Sequence, residues 1–96
     1  MPKMFISGPV TGVKNYKRKF KRIERKMTRR GYQVLNPAIL PCWMAHDDAM
    51  WICYSMIDIT DVVLFTDGWM DSKGCCMEHD YALIKKKKIL YGEVIK

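Results

Sequence analysis

The sequence predicts an α/β fold in a single domain, residues 1–96: a parallel sheet of four to five strands, ordered 2-1-3-4, with helices on both faces. Three observations carry this expectation. Short apolar runs alternate with longer segments of helical period in the pattern β-α-β-α-β-α-β, which implies parallel strands joined by right-handed crossovers. The run Val62-Val63-Leu64-Phe65 is uninterrupted by polar residues, as in a buried strand. A polar turn and then a helix follow it, through Ser72-Lys73-Gly74 to Ala82, which is how an open α/β sheet presents a binding crevice at the carboxyl ends of its strands.

Taken in order, Lys3 to Ser7 reads as strand one and runs into a Gly- and Pro-rich loop, Gly8-Pro9-Val10-Thr11-Gly12. Helix one is expected from Asn15 to Arg30. Its apolar residues Tyr16, Phe20, Ile23 and Met27 step by four, three and four, and form one narrow stripe. Gly31 closes it, and Arg29 and Arg30 suit the negative end of its dipole. Tyr32 to Leu35 is strand two, stopped by Asn36-Pro37, and Ala38 to His46 is a loop. Helix two is expected to start at Asp47 or Asp48, either of which can cap it, and to end near Ile59. Strand three is Val62 to Phe65, a loop covers Thr66 to Asp71, helix three spans Lys73 to Lys85, and strand four spans Lys88 to Tyr91. The crevice then lies between strands one and three, where Ser7-Gly8-Pro9 and the loop ending at Ser72 emerge together.

Composition narrows the function. About half of the residues are apolar (49%), enough for one core, and no apolar run approaches the roughly 20 residues of a membrane-spanning helix. The amino-terminal apolar run is too short for a signal peptide, so a cytoplasmic location with no membrane association is expected. Cys42, Cys53, Cys75 and Cys76 make no C-x-x-C pair with matching histidines, so no metal site is expected, and they read as reduced thiols, mostly buried. The net charge of +7 is concentrated between Lys14 and Arg30 and in the block Lys85 to Lys88. Such a field favours phosphate-bearing partners. A solvated helix face is preferred over a nucleic-acid groove, because Tyr16 and Phe20 fall on the apolar stripe instead of interleaving with the cations.

Gly74, Glu78 and Ala82 are four apart and share one helix face. Gly74 lets a ligand approach the backbone, Ala82 lets the helix sit close to the sheet, and Glu78 faces the crevice as either a capping group or a working carboxylate. Ser72 can serve as the helix cap. Trp69 can stack on a base or close the core, and these readings are even. Trp43 and Trp51 read as packing or subunit contacts. His46 and His79 are lone histidines with no assigned role.

Ile6-Ser7-Gly8-Pro9 with Thr11-Gly12, then Asn36-Pro37, then Ser72-x-Gly74-x-x-x-Glu78-x-x-x-Ala82, resembles the nucleoside 2-deoxyribosyltransferase superfamily, in particular its small bacterial and phage members and the 2′-deoxynucleoside 5′-phosphate N-hydrolases. The resemblance runs in order through nearly the whole chain. It implies a flavodoxin-like three-layer sandwich, no cofactor, a homodimer, and cleavage of an N-glycosidic bond. Glu78 stands where the family nucleophile attacks the anomeric carbon. Ser72 stands where the hydrolases of 5′-phosphates have serine and the nucleoside transferases have aspartate, which favours a nucleoside 5′-monophosphate. Ser7, Gly8, Pro9, Ser72 and Gly74 are the implied substrate-binding residues, and Trp69 joins them as a candidate if it stacks on a base. The chain departs from the family at Cys53, where many members carry an aspartate that assists the departing base; a thiol replaces it poorly. Asp58, or the earlier Asp47, is the candidate to do that work instead. Two other readings stand beside this one: a nucleotide-sequestering protein without catalysis, motivated by Cys53, and a basic nucleic-acid-associated protein, motivated by the first helix.

Overall fold

Two strands that are buried along nearly their whole length organise the molecule, β1 (Lys3–Ser7) and β3 (Val62–Phe65). They pair in parallel, with Met4 opposite Val62 and Ser7 opposite Phe65. The computed structural model describes residues 1–92. The outer strands are β2 (Gln33–Leu35), paired with β1, and β4 (Lys88–Tyr91), paired with β3. All pairings are parallel and the order is β2-β1-β3-β4, as the sequence predicts.

Successive side chains of a strand point to opposite faces of the sheet. Met4, Ile6, Val62 and Leu64 therefore go to one face and pack with Phe20, Ile23 and Met27 of α1 (Tyr16–Arg29). Phe5, Val63 and Phe65 go to the other and pack with Cys53 and Ile57 of α2 (His46–Asp58) and Ala82 of α3 (Lys73–Ile84). The result is three layers, with one helix over one face of the sheet and two over the other.

The helix ends follow from local chemistry. Asn15 precedes α1 at φ 58°, a left-handed conformation that asparagine tolerates. At its far end Gly31, φ +97°, lets Tyr32 N–H reach the Met27 carbonyl (3.2 Å) and Gly31 N–H the Thr28 carbonyl (3.0 Å), a Schellman closure. Some boundaries differ from expectation: β2 starts at Gln33 and not Tyr32, and the loop expected over Thr66 to Asp71 contains a 3-10 turn, Trp69–Asp71. α2 starts at His46 behind Ala45, with no side-chain cap, and Asp47 and Asp48 sit inside its first turn, where their charge complements the dipole. The segment expected to be wholly loop after β2 contains a 3-10 turn, Pro37–Ile39, pinned by Asn36. The Asn36 side chain accepts from Ala38 N–H (2.9 Å) and donates to Glu24 (2.9 Å), the one acid of α1. Lys17 Nζ also donates to the carbonyls of Ala38 and Leu40 (2.7 and 3.2 Å), so α1 holds this loop on both sides.

Candidate functional site: a carboxyl group at the floor of a cleft

Because Ser7 and Phe65 are opposite each other in register, the loops after β1 and β3 leave the sheet side by side. They open a cleft of about 720 Å³, walled by Gly8-Pro9-Val10-Thr11, the loop from Pro37 to Met44, the first turns of α2 and the amino end of α3. Gly8 is required where it stands: a Cβ there would lie 2.3 Å from Thr66 Oγ1 and 3.1 Å from Phe20 Cζ. Gly74 differs. A Cβ at that position would meet only His46 and Met50 at 3.6 and 3.7 Å, ordinary contact, so the space it leaves belongs to the cleft.

Glu78 reaches the cleft floor from α3 and is only 7% exposed. Ser7 Oγ donates to its Oε1 at 2.5 Å. The Cys53 thiol, carried in from α2, hydrogen-bonds to the same carboxyl group. Burial raises the Glu78 pKa to about 7, against the lowering effect of the Ser7 and Cys53 hydrogen bonds. Burial and the neighbouring carboxylate push the Cys53 thiol well up, so it is a protonated donor at neutral pH. Cys75 is buried within hydrogen-bonding reach of Ser7 and Ser72, and burial also raises its pKa. Ser72, Cys75, Ser7, Glu78 and Cys53 therefore cluster under the cleft, where α3, β1 and α2 meet.

At the amino end of α3, Ser72 caps the helix, its Oγ accepting from Cys75 N–H at 3.3 Å. The hydroxyl proton remains available as a donor. Ser72, Lys73 and Gly74 all line the cleft, so the positive end of the α3 dipole opens into it.

Of the residues expected at a site, Glu78, Gly8, Pro9, Ser72 and Gly74 converge on the cleft, and Ser7 lies directly beneath, gripping Glu78. Two do not join them. Asp58 ends α2, five residues beyond Cys53, which is about 140° around the helix and ~7.5 Å further along it. There it accepts from Tyr81 Oη at 2.7 Å and faces Lys85 at 3.9 Å, outside the cleft lining. Trp69 turns the other way as well. It stacks on His79 (ring centroids 4.4 Å, 22° between planes) and packs on Phe65 and Tyr91, closing the structure instead of walling the cleft. Trp43 and Trp51 are 83% and 71% exposed, and Trp51 meets Tyr54 edge-on, with ring centroids 6.3 Å apart.

His46, Asp71 and Tyr16, to which the sequence assigns no role at a site, also line the cleft. His46 is the first residue of α2, which begins behind Ala45 and not behind either aspartate. Tyr16 Oη lies 3.3 Å from Cys42 Sγ across the mouth. Among the described residues, no group of three or more His, Cys, Asp or Glu side chains is arranged to hold a metal ion, and no helix is long and apolar enough to cross a membrane.

The chain belongs to the family described as "Domain of unknown function (DUF4406)", whose model matches residues 2–91. No curated protein matches it. Among solved structures, it shares its fold with a 2-desoxiribosyltransferase from Leishmania mexicana, at a TM-score of 0.76 and 18% sequence identity. The match covers 95% of this chain but 63% of that one, so this chain spans less than two thirds of the length of that enzyme.

Proposed function

We propose that this protein cleaves the N-glycosidic bond of a nucleoside or deoxynucleoside 5′-monophosphate, releasing the base or exchanging it for another, as a small member of the nucleoside 2-deoxyribosyltransferase superfamily. The observation that carries the reading is the Glu78 carboxyl group: buried, held on two sides by donors, and open to a cleft at the sheet's carboxyl edge. The fold shared with a deoxyribosyltransferase supports it.

In this reading Glu78 in its ionised form attacks the anomeric carbon. The C–O bond to the enzyme forms as the C–N bond to the base breaks, and the base leaves with the bonding pair and takes up a proton. Water, or the ring nitrogen of a second base, then displaces Glu78, and configuration is retained over the two steps. Ser7 and Cys53 orient the carboxylate. The Ser72 hydroxyl, the first amides of α3 and Lys73 receive the 5′-phosphate, where an aspartate in place of Ser72 would repel it. His46, at the cleft wall, can supply the proton to the base, a task Asp58 does not reach. No metal or organic cofactor takes part. A cytoplasmic homodimer, with the exposed Trp43 segment of one copy covering the cleft mouth of the other, completes the proposal.

The test is incubation with a panel of nucleoside and deoxynucleoside 5′-monophosphates, with free base measured. Release by the wild-type protein and its loss in Glu78→Gln supports the reading. Cys53, in place of a carboxylate beside Glu78, favours a second reading, a nucleotide-binding protein without turnover. Tight nucleotide binding with no base released over hours would replace the first reading with that one.

A further inference from the structure

Helix α1 takes no part in the site beyond Tyr16 and Phe20, yet with its flanking residues it carries most of the cations. From Lys14 to Arg30 there are ten lysines and arginines against the single acid Glu24. That acid is already engaged by Asn36 and Lys21. On the folded helix, Arg18, Arg22, Arg25 and Arg29 step by four, three and four, so they form one stripe. The stripe runs about 16 Å along the axis at 1.5 Å per residue. All four are exposed, and among the described residues Arg18, Arg25 and Arg29 have no acidic partner.

We propose that the exposed face of α1 is a docking surface for the phosphate backbone of double-stranded nucleic acid, gripped through Arg18, Arg25 and Arg29. Sequence alone favours a solvated face; Arg18, Arg25 and Arg29, exposed on one ridge of the folded helix with no acidic partner among the described residues, shift the balance. Guanidinium forks suit phosphate oxygens better than ammonium groups do. Three alternatives fit less well. A membrane surface calls for apolar side chains beside the cations, and those of α1 are turned inward: Phe20, Ile23 and Met27 are buried. A single strand calls for aromatic platforms, and Tyr16 is spent edge-on against Phe20. A second copy of the chain offers the acidic helices α2 and α3, but Asp47, Asp48, Asp58 and Asp80 fall short of matching ten cations. With contacts to phosphate alone, binding is independent of base sequence.

The experiment measures binding of the full chain to a short mixed-sequence duplex against salt concentration. Arg18→Gln/Arg25→Gln/Arg29→Gln is compared with Lys85→Gln/Lys86→Gln/Lys88→Gln, which removes the same charge elsewhere. The expected result is binding by wild type that persists at about 0.15 M salt. The slope of log affinity against log salt should fall by about 2.7 in the arginine variant, at 0.9 for each phosphate no longer neutralised, and by much less in the lysine variant. Equal losses in the two variants, or wild-type binding that vanishes at physiological salt, would overturn the proposal. So would retention on anionic phospholipid vesicles without duplex binding, or self-association that the arginine variant abolishes while duplex binding is absent. If the arginine variant does not fold, phenylglyoxal modification of the wild type decides. Protection of Arg18, Arg25 and Arg29 by the duplex supports the surface, and unchanged modification refutes it. Glu78 is untouched throughout, so this result is independent of the glycosidic reading.

Discussion

Ser7 and Glu78, 71 positions apart in the chain, meet at 2.5 Å under the cleft, and the hydroxyl of one sets the orientation of the carboxyl of the other. The hydrogen bond joins the end of β1 to the second turn of α3, so strand register and helix placement together aim the carboxyl group. The Cys53 thiol completes the grip from α2.

Holding a carboxyl group there has a thermodynamic consequence. Burial raises the Glu78 pKa from the ordinary 4.5 to about 7. The folded state therefore favours the neutral form, and stability present below pH 4.5 is lost as pH rises through 7. The loss amounts to roughly 3 kcal/mol at 1.36 kcal/mol per pH unit. Glu78→Gln keeps the acceptor for Ser7 and has no charge to bury. Urea unfolding should find this variant about 3 kcal/mol more stable than wild type near pH 8, with the difference gone near pH 4.

The same shift predicts the pH dependence of base release. The proposed mechanism needs Glu78 ionised, so the rate should climb about tenfold per pH unit up to roughly pH 7 and level off above it. Ser7→Ala removes a donor that favours the ionised form, and the rising limb should move to higher pH. A pH–rate profile of the two proteins checks this, and a merely structural role for Ser7 would leave the limb in place.

Gly8 and Gly74 should respond to alanine in opposite ways. At Gly8 the added methyl runs into Thr66 and Phe20, and the expected cost is about 1–3 kcal/mol of stability. At Gly74 the methyl meets no close neighbour, and helix propensity makes the change neutral to stabilising by about 0.5–1 kcal/mol. Nucleotide binding should nonetheless weaken in Gly74→Ala, because the methyl enters the cleft. Thermal melts and binding titrations of both variants separate the two effects.

The architecture is legible in the sequence because its signals are local. β1 and β3 are continuous apolar runs, α1 has an unbroken stripe, Gly31 stops it, and Ser72 caps α3, so strand order and the position of Glu78 follow from sequence. What is illegible depends on packing between distant segments. That Cys53 on α2 touches Glu78 on α3 requires knowing how the two helices sit on the sheet. For the same reason Asp58 reads in sequence as a substitute for the aspartate that the family resemblance implies at Cys53, although its helical phase carries it to Tyr81. The start of α2 is displaced because Asp47 and Asp48 both resemble caps, and the arrival of His46 in the cleft is hidden with it. Gly8 reads as a ligand-facing glycine, and Thr66, adjacent in the folded state, gives it a packing reason as well.

Trp69 and Asp58 offer a check on these corrections. Trp69→Ala removes a ring packed on Phe65, His79 and Tyr91. It should cost about 2–3 kcal/mol of stability, on the low side for an aromatic truncation because the ring is half-buried, with KM for the nucleotide little changed. Asp58→Asn weakens a surface hydrogen bond and ion pair and should cost under about 1 kcal/mol, with base release unaffected.

The most direct test of the central claim looks for the covalent intermediate. Wild-type protein is mixed with a turned-over nucleoside 5′-monophosphate, quenched in acid, and analysed by intact mass and peptide mapping. The account predicts an adduct of sugar-phosphate mass on the peptide that contains Glu78, absent from Glu78→Gln. An adduct on another residue, or base release by Glu78→Gln at the wild-type rate, would contradict it.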